Sequence, residues 1–399
     1  MPTMTPADRE AFERVTRCNP RWLGVASARD AIGLADRILL HAGPALIDST
    51  RPPAPMLNAG VLACLHEGWA TTAADAERQI SAGLVRLQPG STYRVSTPLV
   101  SMVSARTTLA IIEDAANRSR WFGFLGTGGG AQMRFGRRDP AILDRLRFRE
   151  AVLAPGFAEL LSAGAVDLLA LARSGLTEGD DLHNRLSSAT AMLQAVLATR
   201  KIDSETARAA LAMIGEAPLY FLNLWMPACA LALDQAVGVL GSSMVTRLSA
   251  NGEACAIEIA GAPGQTFSAP ASLVCGPFMK GAPENPQFPP ATGDSGIIDA
   301  FGLGGQVLRR APSLLVAFEP WLTTDDAARA QSMLMSMHPV LGVECGLSAK
   351  AIVASGRTPL LSTGMVSADG RGLLGRGLCQ MPLALFEQAM ARLHDPSAN

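Results

Sequence analysis

Apolar residues recur along this chain at two different spacings, and the places where one gives way to the other divide it into three. From about residue 20 to 140, short runs with strand character alternate with helical stretches at 59–65 and 73–83; the runs are RWLGVA (21–26), TYRVSTPLVSMVS (92–104) and RWFGFLG (120–126). That alternation predicts a mixed α/β unit. From Asp139 the apolar positions fall three and four apart in AILDRLRFREAVLA (141–154), FAELLSAGAVDLLALARSG (157–175), DDLHNRLSSATAMLQAVLATR (180–200) and SETARAALAMIG (204–215). These predict a helical subdomain. An almost wholly apolar stretch at 217–240 predicts a buried helix, after which strand texture returns at MVTRLS (244–249), ACAIEIAG (254–261), LLVAFE (314–319) and KAIVAS (350–355). Between them, GPFMKGAPENPQFPPATGDSG (276–296) holds too much Pro and Gly for a regular element. The expected organisation is an α/β domain at 1–140, a helical subdomain at 141–215, and an α/β domain at 216–399 with a Gly/Pro-rich loop at 276–305.

Composition narrows the function classes. With 399 residues, 48% hydrophobic and 17% charged, the chain has ample material for packed cores. Its 34 basic and 35 acidic side chains nearly cancel, so neither a nucleic acid nor an anionic membrane is an expected partner. Seven scattered cysteines, odd in number and never spaced CxxC, argue against a disulfide framework and a thiolate metal site and suit a reducing cytoplasm. The N-terminal stretch MPTMTPADREAFERVTR has no apolar core and does not read as a signal peptide. The apolar run at 217–233 contains Asn223 and Pro227 and stops at Asp234, which favours a buried helix over a membrane span.

Polar residues set into this background supply the candidate chemistry. GDSG at 293–296 matches the letters around a serine-protease nucleophile, but none of the five histidines stands in a corresponding motif. Ser295 with the glycines of GDSGIIDAFGLGG (293–305), among them Gly304 and Gly305, suits a loop that holds an anion or carbonyl oxygen near Asp294, or a structural turn. GTGGG (126–130), with Gly128 and Gly129, precedes a basic run containing Arg134 and reads as a phosphate or carboxylate cradle or as a flexible loop. It lacks the lysine of a P-loop, and GRGLLG (370–375) is a weak match to a dinucleotide fingerprint. In EGDDLHNRLSSATAMLQAV (178–196), helical spacing puts Leu182, Leu186, Ala189 and Leu193 on one face and Asp180, His183, Asn184 and Ser187 on the other, with Asp181 and Arg185 spaced to pair. His183, Asn184 and Arg185 can all donate to a carboxylate or carbamoyl group, and a solvated face explains them equally well. No second His or carboxylate stands at metal-ligand spacing, so no metal is expected. Asn58, Glu67, Thr97 and Asn223 are polar groups in apolar stretches that need hydrogen-bond partners if buried.

The succession NPRWLGV, LLHAGPAL, APMLNAGV, HEGWA, RLQPG, STPLVSMVSA, RFG, LDRLRF, EGDDLHNR, FLNLWMPACALALD, GSSMVTRLSANG and GDSGIIDAFGLGG resembles the YlbE or AllG-type proteins over nearly the whole chain. The resemblance implies two irregular α/β domains around a small helical orthogonal bundle. It also implies a part in oxamate carbamoyl transfer, in which oxalurate and phosphate give oxamate and carbamoyl phosphate, with an FdrA-type partner subunit. Leu182 stands where that pattern more often has Cys, and ENPQFPPAT replaces an aspartate-rich approach to GDS, which leaves room for another amide or carbamoyl substrate. On this reading the chain is a cytoplasmic enzyme subunit, expected to be homo-oligomeric and to need no cofactor. It takes a small carboxylate-bearing amide and phosphate; His183 and Arg185 hold the substrate or protonate its nitrogen. Asp180 and Asp294 orient or transfer protons, and Ser295 with main-chain N–H groups meets the oxyanion. A stand-alone amide hydrolase and a non-catalytic scaffold for the partner are the alternatives.

Overall fold

The helix Leu222–Asp234 organises the molecule. Every residue from Leu222 to Leu233 is buried, as a helix apolar on all sides requires. Pro227 inside it cannot donate a hydrogen bond to the carbonyl of Asn223, and that carbonyl turns against Gly123 of the neighbouring sheet. A Cβ at Gly123 would stand 2.5 Å from the Asn223 oxygen and 2.8 Å from the Pro227 ring, so glycine is what allows helix and strand to meet here. The computed structural model describes residues 4–323 and 329–394, and its architecture is mixed α/β.

On one side of the central helix lies a five-stranded sheet in the order Val95–Ser96, Arg120–Phe124, Thr108–Asp114, Pro20–Ser27 and Val166–Asp167. Its pairings are antiparallel except for the parallel first one. Ile38–His41 and Arg86–Pro89 form a separate parallel pair. Of the predicted strand at 92–104 only Val95–Ser96 is regular; the rest is a 3₁₀ turn and loop. Thr108–Asp114, buried along nearly its whole length, has no polar alternation and lies outside the strands expected from the sequence.

The helical region holds Ala141–Phe148, Ala154–Ser162, Leu168–Thr177, Ser187–Ala198 and Glu205–Gly215, the first two joined by a π-helical turn, Arg149–Leu153. The single helix expected at 157–175 is two. Gly164 takes φ +125°, Val166–Asp167 joins the N-terminal sheet, and Asp167 then caps the second helix by accepting from the Ala170 N–H at 3.1 Å.

Beyond the central helix, a four-stranded sheet runs Phe267–Pro270, Ala254–Ile259, Val245–Asn251, Thr292–Gly293. Two further antiparallel pairs follow, Leu334–Met337 with Glu344–Leu347 and Leu360–Val366 with Leu373–Gln380. Two expected strands are helices, Pro312–Phe318 and Ala349–Ser355. Pro312 opens the first and the Ser348 hydroxyl accepts from the Ala351 N–H in the second. These start signals outweigh the β-branched content of runs too short to show a period.

Candidate functional site

The segment 178–186 is a loop, buried from Asp180 to Asn184, and the helix expected from 180 begins only at Ser187. The cause is Asp181. Its Oδ1 accepts from the main-chain N–H groups of His183, Asn184 and Arg185 at 3.0, 2.8 and 2.8 Å, and its Oδ2 accepts from Asn184 Nδ2 at 2.9 Å. A carboxylate that gathers the N–H groups of the next turn competes with the helix for them. Leu182 takes a left-handed φ of 61° and is buried with Leu186, Ala189 and Leu193, so the expected apolar set is inside although the segment before Ser187 is not helical. Asp180 caps the following helix by accepting from Ala189 N–H at 2.9 Å and meets Arg185 Nε at 3.4 Å. The spacing-based pairing of Arg185 with Asp181 is therefore replaced by one with Asp180.

His183 is fixed by a carboxylate that no motif singled out. Its Nδ1 lies 2.9 Å from Asp299 Oδ2, an ion-pair contact that is not aligned as a hydrogen bond, with Asp299 fully buried. Asp299 sits in the short helix Gly296–Phe301 and accepts from the Gly305 N–H at 2.8 Å and the Ser362 N–H at 3.1 Å. Gly304, at φ +57°, closes over the pair: a Cβ there would lie 2.6 Å from Asp299 Oδ1 and 2.9 Å from the His183 ring. The N–H groups of Gly304 and Gly305 serve the Asp181 carbonyl and Asp299 and are not presented to a ligand. Asn184 Nδ2 also donates to Ser362 Oγ at 3.1 Å, and Arg376 donates to the Asn184 carbonyl at 3.0 Å. Burial alone would lower the His183 pKa; the charge of Asp299, helped by Asp181, raises it above its ordinary value. Burial pushes the Asp299 carboxyl upward as well, against the pull of the His183 charge and the Gly305 and Ser362 N–H groups.

Asp294, expected to orient or transfer a proton, is hydrogen-bonded to two N-terminal segments. Its Oδ1 accepts from the Gly43 N–H at 2.7 Å, and its Oδ2 accepts from the Thr97 N–H and hydroxyl at 3.0 and 3.1 Å. It thus ties two N-terminal segments to the start of the helix that carries Asp299. Ser295 is buried at the N-terminal cap position of that helix, and its hydroxyl makes no hydrogen bond among the described residues.

The glycine run at 126–130 forms a separate centre. Gly128, Gly129, Arg134 and Asn223 line one cavity of about 160 Å³ together with Arg145 and Tyr220, two residues that sequence reasoning missed because they belong to no motif, one on the helix Ala141–Phe148 and the other in the turn before Leu222. The remaining candidates are hydrogen-bonded within the fold. Asn58 donates to the Gly136 carbonyl at 2.8 Å and accepts from Arg138 at 2.5 Å, while Glu67 accepts from the Arg106 N–H at 2.8 Å.

Comparisons with known proteins bear on the whole chain. A family model described as "Oxamate carbamoyltransferase subunit AllG" matches residues 85–295. The oxamate carbamoyltransferase subunit AllG of Escherichia coli K12 is 31% identical over 98% of this chain and 98% of its own length. An uncharacterized protein of the same organism, YahG, is 26% identical over 96% of this chain and 84% of its own. The crystal structure of a conserved protein of unknown function from Enterococcus faecalis V583 superposes with a TM-score of 0.90 at 24% identity, covering 97% of this chain and 96% of that one. The fold is thus shared with a solved structure, and on the evidence of sequence the chain belongs to the AllG family.

Proposed function

We propose that this chain is a carbamoyl-transfer subunit in which His183, positioned by Asp299, moves the proton that the reaction requires. The observation that carries this reading is the convergence of EGDDLHNR and GDSGIIDAFGLGG on one buried His–Asp pair. The geometry follows the logic of a base oriented by a carboxylate. Asp299 has its own lone pairs occupied by two main-chain donors, and it holds the imidazole through Nδ1; His183 Nε2 makes no hydrogen bond among the described residues. In phosphorolysis of oxalurate, a phosphate oxygen bonds to the carbamoyl carbon and the bond from that carbon to the bridging nitrogen breaks. The proton lost by hydrogen phosphate must end on that nitrogen, giving oxamate and carbamoyl phosphate. His183 is suited to take and return it, and Ser295, at the start of the helix that carries Asp299, has a hydroxyl free for the developing oxyanion.

The test is carbamoyl phosphate formation from oxalurate and phosphate by the chain assembled with an FdrA-type partner. His183→Gln lowers the rate by about 10²-fold or more with the melting temperature retained. In Asp299→Asn the imidazole loses the charge that raises its pKa, so the acid limb of the rate profile, which reports the neutral base form, moves to lower pH. A wild-type assembly that makes no carbamoyl phosphate overturns the reaction, release of free carbamate without phosphate favours hydrolysis, and full activity in His183→Gln removes the pair from the chemistry.

A further inference from the structure

We propose that the cavity between the glycine run at 126–130 and the segment 216–223 is a binding site for a small oxyanion, a phosphate or carboxylate group, separate from the His183–Asp299 pair. The site stands apart from the reaction assigned above. Three donors are left unanswered by the fold: Tyr220 Oη, Arg134 Nε and Arg145 Nε are all shut off from solvent and have no hydrogen-bond partner. Tyr220 is only 2% exposed. A buried donor without an acceptor costs free energy comparable to a lost hydrogen bond, and a native fold seldom tolerates one without reason. Here three belong to residues lining a single cavity.

The backbone adds more donors of the same sign. Among the described residues, no main-chain N–H from Gly126 to Gly130 donates a hydrogen bond. Gly128 and Gly130 both take φ +79°, with Gly129 between them, the alternation that turns successive N–H groups into an anion-holding concavity. The glycines are also required by space. A Cβ at Gly128 would stand 2.6 Å from Met213 Cγ, and one at Gly126 would stand 2.9 Å from Asn223 Nδ2.

The side chains are already ordered. Arg145 donates through Nη2 to the Thr127 carbonyl and lies over the Phe148 ring at 4.9 Å, while Arg134 lies over the Phe135 ring at 4.7 Å. A third guanidinium, buried Arg149 on the π-helical turn, stands 5.0 Å over the ring of Phe124, itself a wall of the cavity. Glu216 is the one acidic residue among those lining the cavity, and it is exposed. Burial brings the Arg134 pKa down to about 10, which leaves it charged at neutral pH. A cavity of about 160 Å³ suits one phosphate or a compact carboxylate and is below the size of sites that hold drug-sized ligands. No residue of the 178–186 or 293–305 loops lines it.

The experiment titrates the full chain with inorganic phosphate and, separately, with oxamate, by calorimetry and by thermal melting. At least one anion saturates the site at or below about 1 mM and raises the melting temperature. Arg134→Met weakens that binding by about 10-fold or more, and Tyr220→Phe, which removes only the unpartnered hydroxyl, weakens it several-fold without lowering the melting temperature of the free protein. Saturation by one anion alone identifies the group recognised, and either outcome supports the site. Absence of binding by both anions, or binding indifferent to both Arg134→Met and Tyr220→Phe, overturns it.

Discussion

A carboxylate with no exposed surface must be answered from every side, and Asp299 is: two main-chain N–H groups and the His183 ring share its two oxygens. That arrangement exists only because residue 304 has no side chain. In Gly304→Ala the new methyl would fall within 3 Å of both partners at a φ of +57°, so either the helix Gly296–Phe301 or the 178–186 loop must shift. The expected cost is about 1–3 kcal/mol in stability, read in denaturant unfolding, together with loss of carbamoyl transfer larger than the stability change explains. A Gly304→Ala chain that keeps its rate would show that the pair tolerates displacement and that its geometry does not govern the chemistry. Asp299 itself was legible in principle. It is an acid set in the apolar run GIIDAF, the same kind of signal that marks Asn223, but the neighbouring GDSG letters point to Asp294 instead.

At the scale of elements, local polar chemistry outvoted apolar periodicity in the places where sequence and structure diverge. The 178–186 segment has the spacing of a helix and buries the expected leucines, yet Asp181 takes three N–H groups that a helix would need. Asp181→Asn leaves one oxygen in place of two and removes the charge, so it should destabilise by about 2 kcal/mol and free the loop; amide hydrogen exchange at 183–185 should rise more than exchange in Ser187–Ala198. Equal protection in both would mean that the loop is held by its buried leucines and not by Asp181. The mixed α/β class, the helical middle and the buried apolar helix followed from periodicities repeated over many residues. Boundaries and short apolar runs did not, because LLVAFE and KAIVAS carry no period of their own and their fate was set by Pro312 and Ser348. The candidate site was legible as motifs and illegible as a place: GTGGG and EGDDLHNR stand out in the sequence, but their partners Tyr220, Arg145 and Asp299 arrive from sequence-distant elements.

At the scale of the whole molecule, the buried histidines pull stability in opposite directions with pH. Burial lowers the pKa of His41 and of His338 to about 4, against an unfolded value near 6.5. Both are neutral in the fold, and His338 Nδ1 accepts from the Val340 and Leu341 N–H groups at 3.2 and 3.3 Å. As pH falls below the unfolded value, the unfolded chain binds protons that the folded chain refuses. Stability present above about 6.5 is therefore lost down to about 4, by about 3 kcal/mol for each residue. His183 has the opposite sign: its raised pKa adds stability that is complete below the unfolded value and is lost as pH rises through the folded one. The two depressed histidines outnumber the raised one, so the histidine contribution to stability should fall between pH 7 and pH 4, most steeply near pH 5. His338→Asn separates this effect from general acid unfolding, since its Oδ1 can accept the same two N–H groups without binding a proton. Stability of the variant should decline less on acidification than that of the parent, by about 3 kcal/mol across the same interval; parallel curves would mean that His338 is protonated in the fold and that the acid sensitivity lies in the carboxylates.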